Sequence, residues 1–390
     1  MTDLPPNKDA PSPAVAAMKR ALGRYRRRGN GDAVNGGLEE DDRKQVVDPS
    51  RAAEDPQLWQ RRAASDDADA SHDYDYYQGP LYELRAKPGV YVAPRALGVA
   101  LQRCVAYAAL TRYCEAPHAT NLEGVPPKPH QVVNAPHENM WYRWKQEQPQ
   151  TPPSVAAARK DSRKRPPPSP LYYRSFRKLS WATVGYHYDW TRRLYHADAY
   201  SDVPAALQDI GALFARTVAG LEKESRALPP TATPNQNSTS KAPRFTVSAA
   251  IINYYTCKSV MGGHRDDLEY DDRAPIVSLS LGGRPCLFLV GSVDEQDDAS
   301  PVVPLLLRPG DVLILSGPHR MAYHAMARLL PVDDAETVVS SSSQALCPTA
   351  DIGAVPPEDE AALDAYLRDH RININLRQVY PDGQDPRCPG

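Results

Sequence analysis

Arg371-Ile372-Asn373-Ile374-Asn375-Leu376-Arg377 alternates polar and aliphatic side chains along its whole length. A period of two is that of a β-strand whose two faces meet different surroundings. Ile372, Ile374 and Leu376 form the face that packs, while Arg371, Asn373, Asn375 and Arg377 share the other and point into a barrel. Arginines so enclosed need anionic partners. Working outward, residues 245–255, 276–281, 286–291, 302–307, 312–316, 322–327 and 372–380 read as strands, with Gly282-Gly283, Gly310-Asp311 and Gly317-Pro318 as turn signals between several of them. Many short strands at this spacing predict an antiparallel double-sheet jelly roll or barrel. All-helical and doubly wound folds would need other periods. An insert at 331–357 and a short helix over 358–370 interrupt the run before its last strand.

Upstream of this β region the pattern is mixed. Gly89-Val90-Tyr91-Val92 is strand-like, and Pro94 then opens a helix with Leu97, Leu101, Val105 and Ala108 on one side. A second helix follows Pro204, where Leu207, Ile210, Phe214, Val218 and Leu221 keep helical spacing; it should back a sheet. Residues 117–170 look like a loop or surface insertion, rich in basic residues and ending in Pro166 to Pro168. Residues 1–78 are too poor in large apolar side chains to offset chain entropy and are expected to be disordered. One short basic amphipathic helix stands out there, from Ala14 to Arg28, with Val15, Met18, Leu22 and Tyr25 beside Lys19, Arg20 and Arg24. The expected organisation is therefore a disordered region over 1–78, an extension over 79–243 and a β core over 244–382, an α+β chain with a mostly β core.

With 46 Lys+Arg against 48 Asp+Glu over 390 residues, the balance excludes a surface that is one large nucleic-acid clamp and leaves room only for local basic patches. The 39 prolines are about twice the usual share and point to substantial irregular sequence around a smaller folded part. No run of apolar residues is long enough for a membrane span and the first residues hold no apolar signal core, so an intracellular protein is expected. Cys104, Cys114, Cys257, Cys286, Cys347 and Cys388 form no Cys-x-x-Cys pair, which fits reduced thiols and disfavours structural zinc.

Two histidines and a carboxylate on a strand framework are the ligand set of a non-haem Fe(II) centre, because they leave coordination positions open. The local signature is His-x-Asp, and it occurs three times: His187-Tyr188-Asp189, His196-Ala197-Asp198 and His264-Arg265-Asp266. The third follows the strand ending Asn253-Tyr254-Tyr255 and Gly262-Gly263, and is itself followed by strands, Gly310-Asp311, His324 and the closing strand with its two arginines. An aromatic cluster, Trp181, Tyr186, His187 and Tyr188, suits either stacking on an extruded base or core packing. Trp141 and Trp144 with Arg143 and Lys145 form a second aromatic and basic patch, equally readable as a surface helix.

That ordered set resembles the AlkB family of Fe(II)/2-oxoglutarate dioxygenases, over roughly residues 80–380. Their double-stranded β-helix carries His-x-Asp, a distal His and a closing Arg-x-Asn-x-x-x-Arg strand. The segment Trp181 to Trp190 resembles the nucleotide-recognition lid of the AlkB homologue one branch, and the basic helix near Arg24 is similar to that branch as well. The chain departs from the pattern in its proline-rich stretches at 152–170 and 228–243 and its serine tract at 340–343. The resemblance implies that His264, Asp266 and His324 hold Fe(II), and that Arg371 and Arg377 bind the two ends of 2-oxoglutarate with Asn253, Tyr255 and Asn373. Arginine's planar fork suits such carboxylates. It further implies that Trp181, Tyr186 and Tyr188 contact substrate. His319 lies close to His324, but the family motif places the ligand after a Ser-Gly-x-x-Arg stretch, here Ser316 to Arg320, which favours His324.

The activity so implied is oxidative demethylation of bases in nucleic acid. O2 and 2-oxoglutarate are consumed, succinate and CO2 are formed, and the hydroxylated N-methyl group leaves as formaldehyde. Methylated tRNA such as 1-methyladenosine is the favoured substrate, with N6-methyladenine in DNA next. A protein substrate such as a histone lysine, or a non-catalytic module binding modified RNA, are the alternatives; the aromatic lid counts against the first, and the intact ligands and arginines against the second. A monomer with no membrane association is expected, in cytoplasm or nucleus, while the Arg-rich helix keeps the mitochondrion open.

Overall fold

Strand-forming runs with one apolar face must bury that face against another layer, and here they do so twice. A computed structural model describes residues 11–26, 40–62, 77, 79–122, 139–147, 176–226, 245–331 and 351–387. In chain order the elements are α1 (Pro13–Tyr25), α2 (Glu40–Arg43), β1 (Trp59–Arg62), β2 (Leu81–Leu84), β3 (Val90–Ala93), α3 (Val99–Thr111), β4 (Ala119–Thr120), α4 (Met140–Glu147), β5 (Trp181–Asp189), β6 (Leu194–Ser201), α5 (Ala205–Arg226), β7 (Ala249–Tyr255), β8 (Met261–His264), β9 (Ile276–Gly282), β10 (Cys286–Val290), β11 (Val303–Leu307), β12 (Val312–Leu315), β13 (His324–Leu329), α6 (Pro357–Asp369) and β14 (Arg371–Arg377). A ten-stranded sheet runs β1-β2-β3-β12-β9-β14-β7-β5-β4, with β6 beside β5, and a four-stranded sheet runs β11-β10-β13-β8. The pairings are antiparallel, and the expected double-sheet jelly roll is what forms.

The alternation in β14 does what its sequence implies. Ile372, Ile374 and Leu376 are fully buried on the outer face of the large sheet, in the core shared with α3, α5 and α6. Between the sheets lies a second core, where Tyr255, Cys286, Leu307, Leu313, Leu315 and Met326 meet. A third core covers the outside of the small sheet, where Ala14, Met18 and Tyr25 of α1 rest on Leu287, Leu289, Ala325 and Ala327. The layers are thus helices, large sheet, small sheet and α1.

Two expectations change. Residues 1–78 contain structured parts: α1 docks on the small sheet, and β1 pairs with β2, so the folded unit crosses the expected boundary at 78. Few large apolar residues suffice because they are concentrated on single faces, Met18 and Trp59 being almost wholly enclosed. The insertion at 117–170 contributes β4 and α4, and Trp141 of α4 is core rather than surface. Its indole stacks on Trp144 at 5.3 Å and its Nε1 donates to Asp359 at 3.0 Å. Strand β5 joins the large sheet, Trp181 to Gly185 pairing continuously with β7. The proline-rich stretches at 152–170 and 228–243, the serine tract at 340–343, Cys347 and Cys388 lie outside the described residues. Cys104, Cys114, Cys257 and Cys286 form no disulfide among the described residues. No helix among the described residues is long and apolar enough to cross a membrane.

Two histidines away from the expected metal trio stiffen β5 and its neighbour β4. His187 is 1% exposed with Nδ1 at 3.0 Å from Thr183 Oγ1, and His118 Nδ1 lies 2.8 Å from Ser201 Oγ. Burial lowers both, to about 4. In the unfolded chain each returns to about 6.5, so the unfolded state takes up protons that the fold refuses between those values. Stability should accordingly fall as pH drops from about 6.5 toward 4, by on the order of 2 kcal/mol for His187. Urea titrations across that range should give a shallower pH slope for His187→Gln than for the parent; equal slopes would remove His187 from the balance.

Candidate active site

Strands β8 and β13 pair with His324 opposite His264, which sets the two imidazoles 4.4 Å apart, centre to centre. Asp266, just past the end of β8, turns back toward them. His324 Nε2 lies 3.6 Å from Asp266 Oδ2, and His264 Nε2 lies 3.9 Å from Oδ1. Among the described residues this is the only group of three metal-ligating side chains whose donor atoms all fall within 4.8 Å of one another. In both histidines Nδ1 sits on a backbone carbonyl, that of Gly262 at 2.9 Å and of Ala322 at 3.0 Å. A proton donated there leaves each Nε2 lone pair facing the centre, the arrangement a metal-binding imidazole requires. Burial pushes His324 down to about 4 and keeps it neutral. Burial alone would raise Asp266, but the Arg377 guanidinium beside it holds its carboxyl well below the usual range.

The competing motifs separate cleanly. His187 is tied to Thr183, and His196 Nε2 lies 3.3 Å from Asp189, so each is engaged within the β5–β6 region. His319 sits in a short 3-10 turn, its Nδ1 at 2.7 Å from the Pro88 carbonyl, away from the trio.

Two cavities meet at the trio, sharing Met261, His264, Asp266 and Asn375 in their walls. The inner one lies between the sheets and is lined by Tyr255, Ser278, Phe288, Leu313, Arg371 and Asn373 among others. Arg371 is 2% exposed, its Nη2 donates to Ser280 Oγ at 2.8 Å, and its Nε and Nη1 have no partner. A buried guanidinium with idle donors is costly unless an anion joins it. A dicarboxylate with one end on Arg371 and the other at the metal answers that demand, so the donor set and the pocket both fit Fe(II) and 2-oxoglutarate. Asn373 is held in place by bonds from Nδ2 to Ser278 Oγ at 2.8 Å and the Leu279 carbonyl at 3.0 Å.

The outer cavity, of ≈ 680 Å³, opens over His264 and Asp266 and is walled by Tyr188, Trp190, Arg193, Asn253, Glu269 and Arg377. Asn253, expected beside Tyr255 in cosubstrate binding, lines this chamber, whereas Tyr255 lines the inner one. Arg377 differs from Arg371 as well: its Nη2 lies 2.9 Å from Asp266 Oδ2 and its Nη1 2.6 Å from Glu269 Oε1. It is committed to the ligand carboxylate and to a second buried acid.

Of the aromatic residues expected to face substrate, Tyr188 lines the outer cavity and Tyr186 does not. The alternation along β5 breaks at Gly185, whose φ of +82 and close approach to the Ser248 carbonyl no side chain would allow. Tyr186 is consequently fully buried, its hydroxyl donating to Asp385 at 2.6 Å and its ring against Tyr200 and Tyr380. Trp181 is half-buried and stacks at 4.0 Å behind Trp190, which is the ring that reaches the cavity, 41% exposed. Trp190, Arg193 and Glu269 were not singled out by any sequence motif, although Trp190 closes the aromatic run.

Asp266→Ala should abolish binding of Mn(II), used as a redox-stable probe, while the protein still melts cooperatively; Mn(II) affinity equal to the parent's would exclude this trio. Arg371→Lys should raise the 2-oxoglutarate requirement by about tenfold or more, because an ammonium cannot reproduce the fork. Coincident cosubstrate titrations would show that the idle donors of Arg371 serve something else.

The chain is similar to known proteins. The family model described as the 2OG-Fe(II) oxygenase superfamily matches residues 124–377, which include the trio and both arginines. The chain is 29% identical over 310 residues to the nucleic acid dioxygenase ALKBH1 of Mus musculus, covering 78% of this chain and 67% of that protein. It is 28% identical over 316 residues to the DNA N(6)-methyladenine demethylase ALKBH1A of Arabidopsis thaliana, covering 77% and 78%. To the tRNA demethylase abh1 of Schizosaccharomyces pombe it is 28% identical over 205 residues, covering 53% and 54%. The chain belongs to the 2OG-Fe(II) oxygenase superfamily, as an AlkB-family dioxygenase that uses Fe(II) and 2-oxoglutarate.

Proposed function

We propose that this protein removes N-linked methyl groups from bases in nucleic acid, with 1-methyladenosine in tRNA as the favoured substrate and N6-methyladenine in DNA as the second. The observation that carries the reading is the outer chamber, an open cavity beside the His264 and Asp266 side chains whose walls combine the aromatic rings of Tyr188, Trp190 and Tyr323 with both arginines and carboxylates. Bound Fe(II) supplies dioxygen activation coupled to the decarboxylation of 2-oxoglutarate to succinate and CO2.

The chain's own residues do the rest. His264, Asp266 and His324 hold the metal, and Arg371 anchors the far carboxylate of the cosubstrate in the closed inner pocket. Apolar walls such as Phe288, Leu313 and Leu315 keep water from that pocket. Tyr188 and Trp190 offer flat faces for a base taken out of its helix, and stacking of that kind is worth roughly 1–3 kcal/mol. Arg192 and Arg193, at the tip of the β5–β6 hairpin with side chains 66% exposed, are placed to meet phosphate. The mouse nucleic acid dioxygenase, the plant DNA N(6)-methyladenine demethylase and the yeast tRNA demethylase to which the chain is similar support the same substrate class.

Iron-loaded protein incubated with bulk tRNA and, separately, bulk DNA should deplete 1-methyladenosine from tRNA with matching succinate, as read by nucleoside mass spectrometry. Unchanged nucleosides in both, with turnover on a methyl-lysine histone peptide, would move the assignment to protein. Within the chamber, Trp190→Ala should melt near the parent temperature and decarboxylate 2-oxoglutarate slowly without substrate, yet lose most demethylation. Tyr186→Ala should fail differently, through a stability loss of about 3–5 kcal/mol typical of a buried aromatic. Normal demethylation by Trp190→Ala would remove base stacking from the reading.

A further inference from the structure

Glu269 is a buried carboxylate that the reaction itself does not call for. It lies three residues past Asp266, its side chain is 1% exposed, and both its oxygens are in use. Oε1 accepts from Arg377 Nη1 at 2.6 Å and from the Tyr195 hydroxyl at 2.7 Å, while Oε2 faces Arg320 Nη2 at 3.2 Å. Arg320 in turn donates to the backbone carbonyl of Asp266 at 2.8 Å and to that of Ala274 at 2.7 Å. Every charged member of this set is buried, so the low dielectric gives each pairing more weight than it would have at the surface.

Arg377 is therefore shared between two acids, with one nitrogen on Glu269 and the other on Asp266. A guanidinium freed from Glu269 would turn its whole fork onto Asp266, since two parallel N–H···O bonds are the stronger geometry. That fork would cover the oxygens that the metal needs. We propose that Glu269 is a positioning residue that holds Arg377 to a single contact with Asp266 and so keeps the ligand carboxylate open to metal. Tyr195, on β6, extends the link to the hairpin that carries Trp190 and Arg193. The inference rests on the reading of His264, Asp266 and His324 as the metal centre, and it adds residues to that centre which touch neither metal nor cosubstrate.

The test is Mn(II) titration of the full, chelator-treated chain by calorimetry. Glu269→Gln keeps the shape and removes the charge, and it should weaken Mn(II) binding by about tenfold or more, the usual effect of losing an outer partner of a ligand. Tyr195→Phe should give a smaller loss of about threefold, that of one hydrogen bond, and this variant serves should Glu269→Gln fail to fold. The decisive variant is the Glu269→Gln, Arg377→Met double, where no guanidinium is left to cover Asp266. Its Mn(II) affinity should return toward the parent's. A Glu269→Gln protein that binds Mn(II) as the parent does, or a double variant as weak as the single one, would overturn the proposal, as would parent affinity in Tyr195→Phe for the link to the hairpin. Parent affinity in Asp266→Ala would instead overturn the metal centre itself, an outcome the Glu269 series cannot imitate.

Discussion

The register between β8 and β13 is the constraint on which the site depends. Their pairing sets His324 opposite His264, two residues distant in sequence, and leaves Asp266 at the point where β8 ends and the chain turns. A slip of one residue would send one imidazole to the opposite face of its strand and dissolve the ligand set. The register is secured from outside by α1. Met18 lies against Gly263 so closely that a Cβ there would come within 2.4 Å of it, and against Gly291 at 2.9 Å. The glycine next to His264 is thus a place where helix and strand need to touch, and the N-terminal helix is part of what holds the metal-bearing strand flat.

What was legible in the sequence follows from how local each signal is. β14 could be read directly because its inward and outward faces differ at every position, and its aliphatic face is indeed fully buried. The helices around Leu101 and Phe214 could be read for the same reason at helical spacing. β8 was missed, since Met261-Gly262-Gly263-His264 has almost no strand propensity and is a strand only through β13. The burial of Tyr186 was equally illegible, because its direction depends on the glycine kink before it and on Asp385 far along the chain. Family resemblance supplied the ligand trio and the two arginines but not the difference between them. Glu269 carried no local signal at all: one acid among several after His264, it acquires its role from Tyr195, Arg320 and Arg377, which arrive from three other segments.

The two arginines of β14 show how one alternating strand serves two chambers. Arg371 and Arg377 share a face, yet the strand crosses from the closed space between the sheets to the open chamber within that length. At the inner end no carboxylate among the described residues pairs with Arg371, and its idle donors are a standing demand for an anion. At the outer end Arg377 is balanced by Asp266 and Glu269 before any ligand arrives. The same residue type therefore recruits a ligand at one end of the strand and regulates a ligand-binding carboxylate at the other.

That difference bears on how charge is handled when the site fills. A dicarboxylate would bring two negative charges toward the metal that Asp266 would help to hold, and the inner pocket would meet one of them with Arg371. The outer end has Asp266, Glu269, Arg377 and Arg320 close to neutral among themselves, a balance in which any one charge removed leaves another buried and unpaired. Glu269 and Arg320 consequently bear on the centre without touching it, because they decide how much of Arg377 is left for Asp266. Tyr195 belongs both to this cluster and to the β5–β6 hairpin that walls the outer chamber, so a hydrogen bond ties that hairpin to the acid that shares Arg377 with Asp266.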